Sequence, residues 1–329
     1  MIRFFNPGLG YQKIKSEIDS EISRVFSAGD LVLRDDVEKF ENNLADFVGT
    51  KYAVALNSGT DALVLALKAL DIGIGNKVLV PSHTFKATAG SVRTCGAYPI
   101  IYDMDGIKDE LYIKYNPKAV IVAHIAGEVA PLPKTNLPII EDACQALGAV
   151  KNPTSKVQCW SFYPAKILGA YGDAGGLTTN DPVIYEYVKE ARNHFKTDNR
   201  DFGLNSRMDN LQAAILNVKF KYLPEYLNRR AEIAEMYKEL KGVELPNYTK
   251  GRVWQDYIIW TTKRDELYEY IKEQGIETLK NEYPFSIDYP KPPISEKYEA
   301  ETLRLPCNPD LTDEEVKIII KKINEFFKV

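Results

Sequence analysis

Short apolar runs alternate with amphipathic stretches through the first two-thirds of the chain. The runs are typical of buried strands, and they predict seven strands at 51–56, 77–82, 98–105, 118–127, 137–143, 158–164 and 175–181. Between them, apolar positions in 58–70 and 84–96 recur at helical spacing. Strands that alternate with helices predict an α/β fold whose central sheet is mostly parallel and flanked by helices.

The pattern becomes helical after Asp181. Residues 181–195 and 207–240 read as long helices, and Pro224 interrupts the second of them. We place a domain boundary in this helical region. It divides the chain into a large α/β domain at 1–235 and a small C-terminal α+β domain at 236–329.

Three segments define the small domain. Residues 256–262 predict a strand, and 264–275 and 312–327 predict helices. Thr312 and Glu315 stand at the start of the last helix with the spacing of a capping box, in which each side chain accepts a hydrogen bond from the other's backbone.

The composition describes an ordinary globular protein. Of 329 residues, 45% are apolar and 27% charged, and the net charge is −4, so no general attraction to nucleic acid or anionic membranes is expected. The longest apolar runs are too short to span a bilayer. The first residues reach Pro7 before a signal-peptide-like stretch can form, and we expect a cytoplasmic protein.

Cysteine and histidine are scattered along the chain. The four cysteines and three histidines lack the spacing of a zinc site, and a disulfide framework is not expected at this length, so we predict no metal site.

The segment Asn57–Thr60 closes a predicted strand and opens a helix. Free backbone N–H groups and the helix dipole make such a turn suitable for a phosphate, with the Ser58 and Thr60 hydroxyls as further donors. Serine and threonine are also ordinary helix caps, so the turn alone leaves both interpretations open.

Lys166 is the least ordinary residue of the chain. It follows a short aromatic strand, and its apolar neighbours favour a reactive amine over a solvated ammonium. Pyridoxal phosphate requires a lysine for its aldehyde, an acid for its ring nitrogen, a phosphate cradle and a flat group against the ring. Lys166, Asp142, the Ser58–Thr60 turn and Phe85 supply one of each.

Five motifs stand in a fixed order along the chain: SGTDAL (58–63), PSHTFKATA (81–89), IIEDACQALGA (139–149), SFYPAKILGAYGDAGG (161–176) and NSRMDNLQAAIL (205–216). This ordered set resembles the DegT/DnrJ family of sugar aminotransferases, a branch of the fold-type I pyridoxal-phosphate enzymes. The resemblance implies a homodimer whose active sites lie at the subunit interface. It also implies transfer of an amino group, usually from L-glutamate, to a keto group of a nucleotide-linked deoxysugar.

The resemblance also implies residue roles. Lys166 would be the Schiff-base lysine and proton shuttle, Asp142 would pair with the ring nitrogen, and Gln145 would lie near the ring hydroxyl. Phe85 matches the stacking aromatic. The phosphate would be held by Ser161, Gly59 and Thr60, and Asn205 would reach the phosphate in the neighbouring subunit.

The chain departs from the family pattern in several places. The segments at 127–138 and 150–158 are short, so we expect one face of the sheet to be less covered, or covered by a partner. Arg34 stands where a glycine is usual, Arg192–Phe195 replaces R-x-H-G, and Glu282-Tyr283-Pro284 replaces H-Y-P.

Because of these departures, two alternatives to a nucleotide-sugar aminotransferase stay open. The acceptor could be another cyclic ketone, such as an inosose, in place of a sugar nucleotide. The protein could also be a regulatory or binding protein that keeps the fold without turnover.

His124 follows the start of the predicted strand at 118–127, and it lies either near the site or in the core.

Overall fold

A seven-stranded sheet forms the centre of the chain. A computed structural model describes residues 1–197, 203–280 and 292–328. The strands of the sheet are β1 (Tyr52–Leu56), β2 (Lys77–Pro81), β3 (Tyr98–Tyr102), β4 (Ala119–Ala123), β5 (Ile139–Asp142), β6 (Val157–Ser161) and β7 (Gly175–Thr179). Their order is β1-β7-β6-β5-β4-β2-β3, and all run parallel except β7. All seven predicted strands and the mostly parallel sheet are confirmed.

Helices cover both faces of this sheet, as its strands require. Every residue of β4 is buried, which is the signature of a parallel strand covered on both sides. The helices that precede, connect or follow the strands are α1 (Pro7–Lys13), α2 (Lys15–Ala28), α3 (Asp35–Val48), α4 (Gly59–Ala69), α5 (Ala87–Thr94), α6 (Asp109–Tyr115), α7 (Pro182–Ala191), α8 (Asn210–Phe220) and α9 (Leu223–Met236). Among the helices of the described ranges, none has both the length and the apolar character needed to cross a bilayer.

The two faces have separate cores. On one face, α4, α5 and α7 pack against alternate strand residues such as Val54, Leu56 and Val80. On the other, α3 and α8 pack against Ala53 and Ala55, which point the opposite way along β1. The alternation fixes which side chains reach each helix layer.

A small antiparallel sheet lies in the C-terminal part of the chain. Its strands β8 (Tyr257–Trp260), β9 (Leu279–Lys280) and β10 (Thr302–Leu305) lie in the order β8-β10-β9. Three helices accompany it: α10 (Arg264–Glu273), α11 (Pro293–Glu301) and α12 (Asp313–Phe327). The Thr312–Glu315 capping box at the start of α12 is confirmed.

The core of this smaller unit draws on both ends of the chain. Ile233 and Ala234 of α9 pack with Tyr237 and with the residues of β8, β10 and α12. Ile2 joins the same cluster and forms a bridge with Ile276. The boundary at residue 235 stays a prediction and falls inside α9.

The shortened segment at 127–138 still covers its side of the sheet. Ala130, Leu132 and Leu137 are partly buried against Val120 and Val122 of β4, and α6 packs beside them. The chain itself therefore covers the face for which we expected weaker cover or a partner.

Asp103 ties the smaller unit to the large sheet. It follows β3, and its carboxylate accepts hydrogen bonds from the backbone N–H groups of Ile294 (3.1 Å) and Ser295 (3.2 Å) at the start of α11. Burial alone would raise the pKa of Asp103, but hydrogen bonds from Met104, Ile294 and Ser295 outweigh burial and hold the pKa below its usual value. The carboxylate therefore caps a helix across the two units.

We predict that Asp103→Asn lowers the melting temperature by about 2 °C at pH 7, because the amide removes the negative charge at the start of α11 and one of the two acceptor oxygens, at a cost of about 1 kcal/mol. Because the pKa of Asp103 is lower in the folded than in the unfolded protein, its charged carboxylate stabilises the fold fully above the unfolded-state pKa near 4. This stabilisation is lost as the pH falls through the folded-state pKa. Thermal unfolding at pH 7 and pH 3 tests this, and the difference between variant and wild type should shrink at pH 3. Asp105→Asn, at an exposed position two residues on, is the control. An equal effect of both variants at both pH values contradicts the capping role.

Candidate active site

The carboxyl ends of the parallel strands meet at one edge of the large sheet, and a cavity of about 650 Å³ opens there. Eight of the predicted site residues line it: Ser58, Gly59, Thr60, Phe85, Asp142, Gln145, Ser161 and Lys166. A second groove of about 500 Å³ lies beside α3, β1 and α7, and it contains none of the predicted residues.

Asp142, the last residue of β5, is buried and firmly oriented. Its Oδ2 accepts a hydrogen bond of 2.7 Å from the hydroxyl of Thr88, which in turn contacts the hydroxyl of Thr84 at 2.8 Å. Its Oδ1 accepts the backbone N–H of Cys144 at 3.3 Å. A buried carboxylate held on both oxygens is suited to bind a protonated nitrogen.

The start of α4 forms a narrow turn against β6. Ser58 is the N-cap, and its hydroxyl accepts the backbone N–H of Asp61 at 3.1 Å. A Cβ on Gly59 would lie 2.8 Å from Cys144 Sγ and 2.9 Å from the Cβ of Ser161, closer than side chains tolerate. Glycine therefore lets the helix start approach the end of β6, where the free N–H groups of the first helical turn can bind an anion.

Lys166 lies in the loop that follows β6. Its backbone N–H donates to the carbonyl of Tyr163 at 2.8 Å, and its side chain is half-buried at the cavity wall. A Cβ on Gly169 would overlap the backbone of Pro164. The glycine is thus required for the loop to close on itself.

Phe85 and Gln145 complete the predicted wall. Phe85 is 52% exposed although it is a large aromatic residue, so its ring is available to a ligand. Gln145 is buried, and its Oε1 accepts the backbone N–H of Ala126 at 2.8 Å.

His124 lines the cavity but is held by the protein. Its Nδ1 accepts the backbone N–H of Ala130 at 3.1 Å, so Nε2 carries the proton and donates to Glu141 at 2.7 Å. Both ring nitrogens are engaged, and the ring is buried. His124 therefore lies at the cavity wall and is also a buried residue with both ring nitrogens bonded to the protein. Its position near the site and its position in the core, which the sequence left as alternatives, are both realised.

Asn205 lies outside the cavity of its own chain. It is exposed and pairs with Asn193, while its neighbour Ser206 donates to the Asn57 side chain at 3.0 Å. Its predicted contact with a neighbouring subunit stays a prediction.

The departures from the family pattern fall at structurally different places. Arg34 has φ −117°, which any residue adopts, so glycine is not required there. Phe195 has φ +51°, the left-handed region that favours glycine, and its buried ring contacts Tyr187 at 5.3 Å between centroids. Packing of the ring offsets the backbone strain. Glu282-Tyr283-Pro284 lies outside the described residues.

Further cavity residues come from parts of the chain for which we predicted no site. Phe4 and Phe5 precede α1, while Gln255, Asp256 and Arg304 belong to the smaller unit. No motif or spacing marks them, because they reach the cavity only through the packing of the smaller unit against the large sheet.

The residues present fit pyridoxal phosphate. The cavity holds a lysine, a carboxylate with both oxygens oriented, a helix start beside a serine and an exposed aromatic ring. Within the described ranges, His, Cys, Asp and Glu form no group of three that could hold a metal ion.

Two curated relatives match nearly the whole chain. A pleiotropic regulatory protein of Geobacillus stearothermophilus is 34% identical, with 97% of this chain and 96% of the relative covered. A dTDP-3-amino-3,6-dideoxy-alpha-D-galactopyranose transaminase of Aneurinibacillus thermoaerophilus is 36% identical, with 96% of each covered.

Two solved structures share the fold. DesV of S. venezuelae, solved with a ketimine intermediate, superposes with a TM-score of 0.91 at 30% identity, covering 100% of this chain and 99% of DesV. NtdA of Bacillus subtilis, solved with bound cofactor PMP, gives a TM-score of 0.85 at 27% identity, with 96% of this chain and 82% of NtdA covered.

The sequence model of the DegT/DnrJ/EryC1/StrS aminotransferase family matches residues 12–324. This range includes every motif on which the resemblance rested, and the family prediction is confirmed. The chain belongs to the DegT/DnrJ/EryC1/StrS aminotransferase family.

Proposed function

We propose that this protein is a pyridoxal-phosphate-dependent aminotransferase that moves an amino group from L-glutamate to a keto group of a nucleotide-linked deoxysugar. The observation that carries the proposal is the presence of Lys166 and Asp142 in one cavity, beside the start of α4. The protein would supply amino sugars for glycans, O-antigens or natural products.

Each residue has a distinct task in this proposal. When bound, pyridoxal phosphate supplies an aldehyde that condenses with amines and a ring that accepts electrons as a substrate proton leaves. Lys166 Nζ would hold the cofactor and move the proton, and Asp142 would keep a proton on the ring nitrogen. Gln145 would lie near the ring hydroxyl, and Phe85 would cover the ring.

The phosphate would be bound at the start of α4. The N–H groups of Gly59 and Thr60 and the hydroxyls of Ser58 and Ser161 would be the donors. The exposed position of Asn205 supports a role at the site of a second copy, and we propose a cytoplasmic homodimer with shared active sites.

The nucleotide-sugar acceptor is proposed from the relatives. The Aneurinibacillus relative is named as a transaminase of a dTDP-linked amino sugar. An inosose-like cyclic ketone would use the same cofactor residues and a different pocket, so a screen of acceptors distinguishes the two.

A regulatory protein without turnover is the second candidate function. The name of the Geobacillus relative favours it. The oriented carboxylate of Asp142 and the half-buried position of Lys166 in the same cavity weigh against it, because a protein without turnover does not require both.

We predict a visible absorption band when pyridoxal phosphate is added to the purified protein, because Lys166 binds its aldehyde. L-Glutamate should bleach the band, and Lys166→Ala should not form it. Spectra of both proteins before and after L-glutamate make the test.

Each outcome of this test has a separate meaning. Failure of the wild type to form a band contradicts the cofactor assignment and favours the binding protein. A band that L-glutamate leaves unchanged contradicts the proposed amino donor.

We predict that Asp142→Asn keeps the band but lowers kcat at least about 100-fold, because the amide cannot hold a proton on the ring nitrogen by its charge. Thr88→Val keeps the carboxylate and removes one hydrogen bond to it, so it should lower kcat only about fivefold. Steady-state kinetics of the two variants test the ranking, and equal rates for Asp142→Asn and wild type contradict the role of Asp142.

A further inference from the structure

Gln255 bonds to the backbone on both sides of Lys166. Its Oε1 accepts the N–H of Ile167 at 3.0 Å, and its Nε2 donates to the carbonyl of Ala165 at 2.8 Å. Because the amide oxygen can only accept and the amide nitrogen can only donate, only one of the two orientations of the side-chain amide makes both bonds. The side chain is buried, and the two bonds span the one residue between them.

The residues around Gln255 are bonded to the loop that follows β4 of the large sheet. We define the clamp segment as residues 252–256, which lead into β8. Arg252 Nη1 lies 2.9 Å from Glu128, and the N–H of Val253 donates to Gly127 at 3.1 Å. A Cβ on Gly127, which has φ +85°, would overlap the carbonyl of Val253.

Arg230 supports the clamp segment from the interior. This buried residue of α9 donates through Nη1 to the carbonyls of Trp254 (3.0 Å), Gln255 (2.9 Å) and Cys307 (2.6 Å). The backbone of Gln255 is therefore held independently of the Lys166 loop, and its side chain can position that loop.

The clamp segment also contributes to the cavity wall. Asp256 accepts hydrogen bonds from Arg304 of β10, and both residues line the cavity. The smaller unit thus holds one wall of the cavity and the backbone of Lys166 through two adjacent residues.

We propose that Gln255 is a positioning residue for Lys166, an inference that rests on the proposed function. A lysine side chain has four rotatable bonds, so the direction of its Nζ depends on a fixed backbone. A misplacement of about 1 Å at a reacting group costs on the order of 100-fold in rate. Both ends of the Gln255 amide are bonded to the backbone beside Lys166. We therefore expect Gln255 to affect the rate of cofactor binding and kcat more than it affects KM.

Gln212 of α8 provides a matched control, because it bonds to the backbone of Tyr171 in the same loop as Lys166. Its side chain makes the same pair of bonds to Tyr171, whose N–H donates to Oε1 at 3.0 Å and whose carbonyl accepts from Nε2 at 3.1 Å. Gln212→Met therefore removes equivalent bonds five residues beyond Lys166.

The experiment compares Gln255→Met, Gln255→Glu and Gln212→Met with wild type. Methionine keeps the length of glutamine without its hydrogen bonds, and glutamate keeps only the acceptor for Ile167. The readouts are the rate at which the visible band appears when apoprotein meets pyridoxal phosphate, kcat and KM, with melting temperature as the check on folding.

We expect Gln255→Met to slow band formation and kcat about 10- to 100-fold with KM within about twofold. Gln255→Glu should lose at least as much as this variant, because its second carboxylate oxygen replaces the donor to the Ala165 carbonyl, and it decides the question if the methionine variant does not fold. Gln212→Met should change both rates less than about threefold.

Two results overturn the inference alone: a wild-type rate in both Gln255 variants, or an equal loss in Gln212→Met. Absence of a band in the wild type overturns the proposed function and the inference with it.

Discussion

Parallel strands bring residues from distant parts of the chain to one edge of a sheet, and the site depends on this constraint. With β7 the exception, the strands run the same way, so β1, β2, β4, β5 and β6 all end at the cavity. Ser58, Phe85 and Lys166 each follow such an end by at most five residues. Their proximity is a consequence of strand direction, and the loops supply only the final placement.

Glu141 and Asp142, the last two residues of β5, have different roles because the pleat of the strand points them to opposite faces. Successive side chains of a strand point to opposite faces. Glu141 points away from the cavity and accepts hydrogen bonds from His124 and Ser155. Ser155 in turn accepts a hydrogen bond from Gln158 Nε2 at 2.6 Å, and these bonds hold the end of the strand in place. Asp142 turns the other way, to Thr88 and the cavity. One carboxylate therefore holds the edge rigid while its neighbour faces the cavity.

The sequence predicted those elements best in which burial requires several consecutive residues to be apolar. Buried strands such as β4 are apolar throughout, so they were predicted within a few residues of their bounds. The helices α1, α2, α3, α6 and α11 were not predicted. Neither α1 nor α6 contains a buried residue, so no apolar stripe marks them. The helix α3 does bury Val37, Phe40 and Leu44 at helical spacing, and that signal was missed. Lys166 and Asp142 were found because their neighbours form motifs. Gln255 was not, because its partners are backbone groups near residue 166, which leave no signature in side-chain type.

We propose that Lys166 binds the cofactor at this edge of the sheet. Borohydride reduction of the protein loaded with pyridoxal phosphate, followed by peptide mass mapping of the modified lysine, tests this. We expect a pyridoxyl group on Lys166 alone, with loss of the visible band and of activity. Modification of a different lysine, or modification spread over surface lysines with Lys166 unlabelled, would contradict it.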